Sequence, residues 1–205
     1  MMQLRKFDRQ SVPLPRADAE FPNTPGDVYL EIGCGVGLHP IQWCQAHPNK
    51  ALIAIEHTKT RYGKFSRRIA RHEGLDNLVP VFDDAISWVS HRVPRHSLAG
   101  VFLLYPNPYP KESQSNKRWH RMPFMARIID SLAPGGTLQL ATNERFYRDE
   151  AQHWLQDYWK MELNSAKALS EPGAEGLGRT HFERKYLSRG EVCYDLVFRA
   201  PSEVP

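Results

Sequence analysis

The sequence predicts a doubly wound α/β domain built on a mostly parallel sheet, and two observations carry that reading. Short apolar runs alternate with longer amphipathic ones, and the first strong apolar run, in Tyr29-Leu30-Glu31-Ile32-Gly33-Cys34-Gly35-Val36-Gly37, ends in an acid and glycines on alternate positions. Strands separated by helix-length segments pair in parallel through crossovers, which places helices on both faces of the sheet. Expected strands are residues 28–32, 51–55, 78–82, 100–105, 136–141 and 192–198, with expected helices at 40–47, 59–72, 86–91, 123–132 and 145–159. Residues 10–27 carry four prolines and little periodicity, so residues 1–27 read as an arm or linker and 28–200 as a single domain. The glycine-containing loop 170–178 reads as mobile until a substrate arrives.

Composition narrows the class. The 205 residues suffice for one filled core and are few for two. No apolar run approaches the roughly 18 to 20 residues of a membrane span. The basic first residues lack a following apolar segment, which argues against a signal peptide. Cys34, Cys44 and Cys193 show neither a disulfide framework nor metal spacing, so a cytoplasmic home is expected. His39, Trp43, His57 and His120 read as packing or surface residues, and no metal site is expected.

The glycine turn carries the first chemistry. Glycine is the residue for a backbone that must take φ > 0 or let a ligand touch it. A turn of this type at the end of a first buried strand wraps a nucleotide-like cofactor, with Gly33, Gly35 and Gly37 as the contact points. Alternate spacing, unlike G-x-G-x-x-G, favours S-adenosylmethionine over a nicotinamide dinucleotide. Glu56, at the end of the next strand, sits where an acid grips ribose hydroxyls, although an acid there also serves the following helix N-terminus. Asp84, before Ala85 at the third strand end, is either an acceptor for an adenine amino group or a helix cap.

The segment Tyr105-Pro106-Asn107-Pro108-Tyr109-Pro110-Lys111, followed by Asn116-Lys117-Arg118-Trp119, gives the next signal. Alternating prolines fix φ and remove backbone donors, which makes a stiff extended lip. With the late Thr180-His181-Phe182-Glu183, these motifs resemble the tRNA (guanine-N7-)-methyltransferase family, in which Pro-Asp-Pro-Trp-Pro-Lys precedes a basic cluster and a Thr-x-Phe-Glu motif follows. The resemblance runs from about Tyr29 to Phe198 and implies a Rossmann-like class I methyltransferase fold with an antiparallel last strand. By the same resemblance Glu31 and Glu56 are cofactor acids, Asp84 is the adenine-side acid, Lys111 is a substrate-binding lysine, and Thr180 and Glu183 bind substrate. The resemblance further implies a tRNA substrate and a monomer or homodimer.

Two departures from the family pattern fall at the expected reaction centre. Asn107 replaces the aspartate of Pro-Asp-Pro-Trp, the position taken here as catalytic, and Asn143 replaces the substrate-side aspartate of Thr-Asp. Tyr109 replaces a tryptophan and keeps a stacking surface. Asn107-Pro108-Tyr109 also looks like a shortened Asn-Pro-Pro-Tyr element, which keeps open methylation of an exocyclic amine or small molecule. A catalytically weak cofactor- and RNA-binding protein is the third reading.

Charge suggests the size of the substrate. The net charge is +4, and Arg61, Lys64, Arg68 and Arg71 recur at spacings of three and four, on one helix face. With Lys111, Lys117, Arg118 and Arg121 they are expected to form a phosphate track for a folded RNA, the alternative being a solvated helix face.

Overall fold

The structure is a computed structural model that describes residues 4–170 and 178–200. Most of the expected loop 170–178 therefore lies outside the described residues. Seven strands form one sheet in the order β3-β2-β1-β4-β5-β7-β6. They are β1 (Val28–Ile32), β2 (Ala51–Ile55), β3 (Leu78–Val81), β4 (Leu98–Leu104), β5 (Leu132–Thr142), β6 (Glu162–Leu169) and β7 (Cys193–Arg199). The first five pair in parallel and β7 lies antiparallel to both β5 and β6. The helices are α1 (Leu38–Ala46), α2 (Lys59–Ile69), α3 (Ala85–Arg92), α4 (Met125–Ser131), α5 (Arg145–His153) and α6 (His181–Leu187).

Side-chain alternation along the central strands explains the layering. Leu52, Ala54, Phe102 and Leu104 project to one face and pack with Ile41 and Cys44 of α1 and Phe65 of α2. Leu30, Ile53, Val101, Leu103, Leu138 and Leu140 project to the other and meet Trp88 of α3 and Ile128 of α4. Because each strand is buried on both faces, it reads as an uninterrupted apolar run. Strand β1 lies between β2 and β4, so chain connections diverge at its carboxyl end, the crevice where open α/β sheets bind ligands.

Four expectations needed correction. Helix α2 stops at Ile69, which leaves Arg71 in the turn beyond it. The helix expected over 145–159 is α-helical only to His153 and continues as a wider π-helical turn, Trp154–Tyr158. Strand β6 was not expected, because its edge position leaves most of its side chains partly or fully exposed and removes the apolar signal. The arm is not a free linker. The buried Asp83 carboxylate accepts from Arg16 N (2.7 Å) and Ala17 N (2.8 Å), Ser87 Oγ donates to Pro13 O (2.7 Å), and Trp88 Nε1 donates to Ala19 O (3.1 Å). These bonds strap the arm across α3.

Candidate active site

The glycine turn folds as its composition requires. Gly33, Gly35 and Gly37 have φ of +78°, +63° and +79°, the left-handed region that glycine enters without strain. Their amides brace the turn on the next strand: Gly33 N and Cys34 N donate to Ile55 O at 2.9 and 3.0 Å, and Gly35 N donates to Glu56 Oε2 at 3.0 Å. A Cβ at Gly33 or Gly35 would meet open space, whereas one at Gly37 would lie 1.9 Å from the Phe65 ring. Gly33 and Gly35 thus leave one face of the turn bare, and Gly37 allows α2 to pack.

One buried carboxylate, Glu56, supports this turn, and a second, Glu31, lies beside it. Glu56 also accepts from Thr58 N at 2.7 Å, so it braces both the turn and the start of α2. Glu56 is 1% exposed and is not among the residues that line the cleft, so the role the structure gives it is bracing. Glu31 is held by His39 Nδ1 at 2.8 Å, and both line a cleft with Gly33, Gly35 and Leu104. Asp84 is exposed and caps α3, its Oδ1 accepting from Ser87 N at 3.1 Å, with Ala85 buried behind it.

Across the cleft lies the N-terminal end of α6. Thr180, His181 and Phe182 line the same cavity as Glu31 and the glycines, together with Arg61 of α2. Thr180 Oγ1 accepts from Glu183 N at 3.0 Å, the hydroxyl half of a capping box. Glu183 is 3% exposed and is gripped by Arg179, with Nη2 to Oε2 at 2.8 Å, while Tyr105 Oη donates to the same oxygen at 2.8 Å. Burial pushes the Glu183 carboxyl up, but the Arg179 bonds and charge outweigh it and hold the group below the usual carboxylate range. Burial pushes the Tyr105 phenol well up, which keeps it a neutral donor. Glu183 in this state anchors α6 to the lip.

The lip leaves β4 through two left-handed tyrosines, Tyr105 (φ +54°) and Tyr109 (φ +46°). Non-glycine residues adopt this conformation at a cost of about 1 to 2 kcal/mol and cluster at functional sites. Asn107 is exposed between them, its Oδ1 accepting from Tyr109 N at 3.2 Å, and Lys111 is exposed at the far end. Asn143, at the end of β5, donates through Nδ2 to Glu191 Oε2 at 2.9 Å.

Arg118 and Arg121 do not lie on a surface track. Arg118 is 4% exposed, and its guanidinium bonds the carbonyl of Tyr109 and Glu150 Oε2 (2.6 Å), while Arg121 bonds Glu150 Oε1 at 2.9 Å. Lys111, Lys117, Arg61, Lys64 and Arg71 are exposed and Arg68 is half-buried, so the free cations are fewer than the sequence suggested.

A family model described as a putative methyltransferase matches residues 25–196. A tRNA (guanine-N(7)-)-methyltransferase of Nitrosomonas eutropha is 30% identical over 195 residues, covering 90% of this chain and 86% of the relative. The chain belongs to the tRNA (guanine-N7-)-methyltransferase family. Its relative in Halorhodospira halophila is 29% identical over 170 residues, covering 83% of this chain and 73% of that one. Among solved structures, the 16S rRNA methyltransferase KamB shares the fold with a TM-score of 0.63 at 23% identity, covering 85% of this chain and 88% of that one.

In this methyltransferase the roles of His39 and Glu150 escaped the sequence reading. His39 read as packing, although its place eight residues after Glu31, in the first turn of α1, was a signal for a partner. Glu150 left no local signal, since its partners Arg118, His120 and Arg121 lie about thirty residues earlier.

Proposed function

We propose that this methyltransferase transfers the methyl group of S-adenosylmethionine to guanine N7 in tRNA, with the cofactor over Gly33 and Gly35 and the purine between the lip and α6. The observation that carries this reading is the single cleft shared by the glycine turn, Glu31 and Thr180-His181-Phe182. Glu31 and Glu56 hold the donor, and Asp84-Ala85 lie on its adenine side. S-Adenosylmethionine supplies an electrophilic methyl sulfonium when bound.

Guanine N7 carries a free lone pair, so attack needs no general base. The protein's work is placement of the two reactants in line. The product purine is cationic, and an aspartate at 107 or 143 would both orient the base and offset that charge, whereas asparagine orients only. Lys111, Arg61 and Lys64 lie exposed for RNA phosphates.

Incubation with labelled cofactor and bulk tRNA, then digestion to nucleosides, tests the reading. The expected product is 7-methylguanosine. A methylated adenosine would assign a different acceptor, and an unlabelled digest with intact cofactor binding would leave a binding protein.

A further inference from the structure

Three prolines between Tyr105 and Lys111 strip the lip of backbone donors, so little beyond the bond from Tyr109 N to Asn107 Oδ1 holds its shape from within. Its carbonyls are gripped from behind instead. Arg118 donates to Tyr109 O through Nε at 3.2 Å and Nη2 at 3.0 Å, and Nη2 also reaches Pro110 O at 3.5 Å. The remaining arm of the fork, Nη1, is fixed by Glu150 on α5. Glu150 in turn takes a bond from Arg121 and contacts His120 Nε2 at 3.1 Å, and His120 is itself fully buried with its carbonyl bonded by Trp159 Nε1. The grip falls on Tyr109, the residue in the strained left-handed conformation, and strained residues persist only where surrounding bonds over-determine them. On either side of Tyr109 stand the exposed Asn107 and Lys111.

We propose that Arg118, locked by Glu150, is a positioning residue that sets the lip and thereby places Asn107 and Lys111 against the substrate. Its link to methyl transfer rests on the proposed N7 reaction; its grip on the lip does not. A planar fork with donors at fixed angles is needed to hold two carbonyls and a carboxylate at once, and a lysine ammonium is a single point charge. The arrangement accounts for a basic residue in the lip's cluster that is closed to RNA phosphate.

The test compares the full-length protein with Arg118→Lys and Glu150→Gln. Cofactor affinity by calorimetry establishes that each variant is folded. Single-turnover methyl transfer to tRNA is expected to fall about 100-fold, the loss that a misplacement of about 1 Å produces. The salt dependence of tRNA affinity falls by no more than the single Lys111 contact, about 0.7 to 0.9 in slope, and trypsin cleaves faster after Lys111. Replacing Arg61, Lys64, Arg68 and Arg71 with glutamine gives the opposite pattern: the slope of log K against log salt falls by about 0.7 to 0.9 for each phosphate that is no longer neutralised, and cleavage after Lys111 is unchanged. A salt slope that is lower in Arg118→Gln, which removes the charge, than in Arg118→Lys, which keeps it, would make Arg118 a phosphate ligand and overturn the proposal. An unchanged cleavage rate, or loss of cofactor binding in both variants, overturns it as well. A parent protein that makes no 7-methylguanosine defeats the functional reading alone, because the cleavage comparison still decides whether Arg118 holds the lip.

Discussion

The cofactor half and the substrate half of the cleft are built by different means. The glycine turn is held by backbone amides on Ile55 O and on one buried carboxylate, with no formal cation in the bracing. The lip and α6 are held by guanidinium groups: Arg118 on Glu150, and Arg179 on Glu183 and Asp195. A backbone-braced turn is indifferent to salt and to moderate pH, and its shape depends on which residues lack a side chain. A turn held by ion pairs depends on protonation and on fork geometry. The two halves therefore fail under different insults.

The largest effect is expected on the cofactor side. Gly37→Ala combines a left-handed φ with a Cβ 1.9 Å from the Phe65 ring, and it should destabilise the fold by about 2 to 4 kcal/mol in a denaturant titration. Gly33→Ala has the same φ problem but open space, so it should cost about 1 kcal/mol of stability while weakening cofactor binding at least about tenfold. Equal stability losses in the two variants would break the distinction between packing glycine and ligand-facing glycine.

On the substrate side, Asn107→Asp should leave the lip intact, because the acceptor for Tyr109 N is retained. A carboxylate beside the purine interacts more strongly with the cationic transition state than with the neutral ground state, so the single-turnover rate should rise by about tenfold, or roughly 1.4 kcal/mol. A slower variant would mean that the amide is the tuned group.

The smallest effect is an acid-induced loosening confined to the guanidinium side. Burial raises the Glu150 carboxyl, but the hydrogen bonds from His120 and Arg118 overcome this and bring it down to about 2 from 4.5. A depressed carboxylate stabilises the fold above its unfolded value, and that contribution is lost as pH falls from 4.5 toward 2. Burial lowers His120 below its ordinary 6.5 despite Glu150, so the ring is neutral in the fold, with Nε2–H donating to Glu150 and Nδ1 left without a partner. A depressed histidine loses stability as pH falls below 6.5, which is the same sign. Hydrogen exchange at the Tyr109 amide, corrected for the intrinsic pH dependence of exchange, should therefore rise gradually below pH 6.5 and more steeply below 4.5. Cofactor-side hydrogen exchange at Gly33 and Gly35 should not follow it.

Much of this was legible in the chain. Strands β1 and β2 were readable because parallel strands buried on both faces are continuous apolar runs, and the glycine turn because its φ values admit little else. Strand β6 was hidden by its exposed edge, and α6 by its length of seven residues, although Thr180 and Glu183 carried a capping signal. The lip's motif was readable as a motif, but not what holds it.

What the sequence determined by itself is therefore the local chemistry: which turns need glycine, which segment lacks backbone donors, which residues are acids at strand ends, and which family the motifs belong to. Tertiary structure alone decided which of those charged groups are available. Arg118 and Lys111 look equivalent in a basic cluster, yet one is buried on a carboxylate about thirty residues away and the other is exposed. The reason is that the energy of an ionised side chain depends on desolvation and on its partner's position. Neither quantity is a property of the local sequence, and both are set only when α5 packs behind the lip.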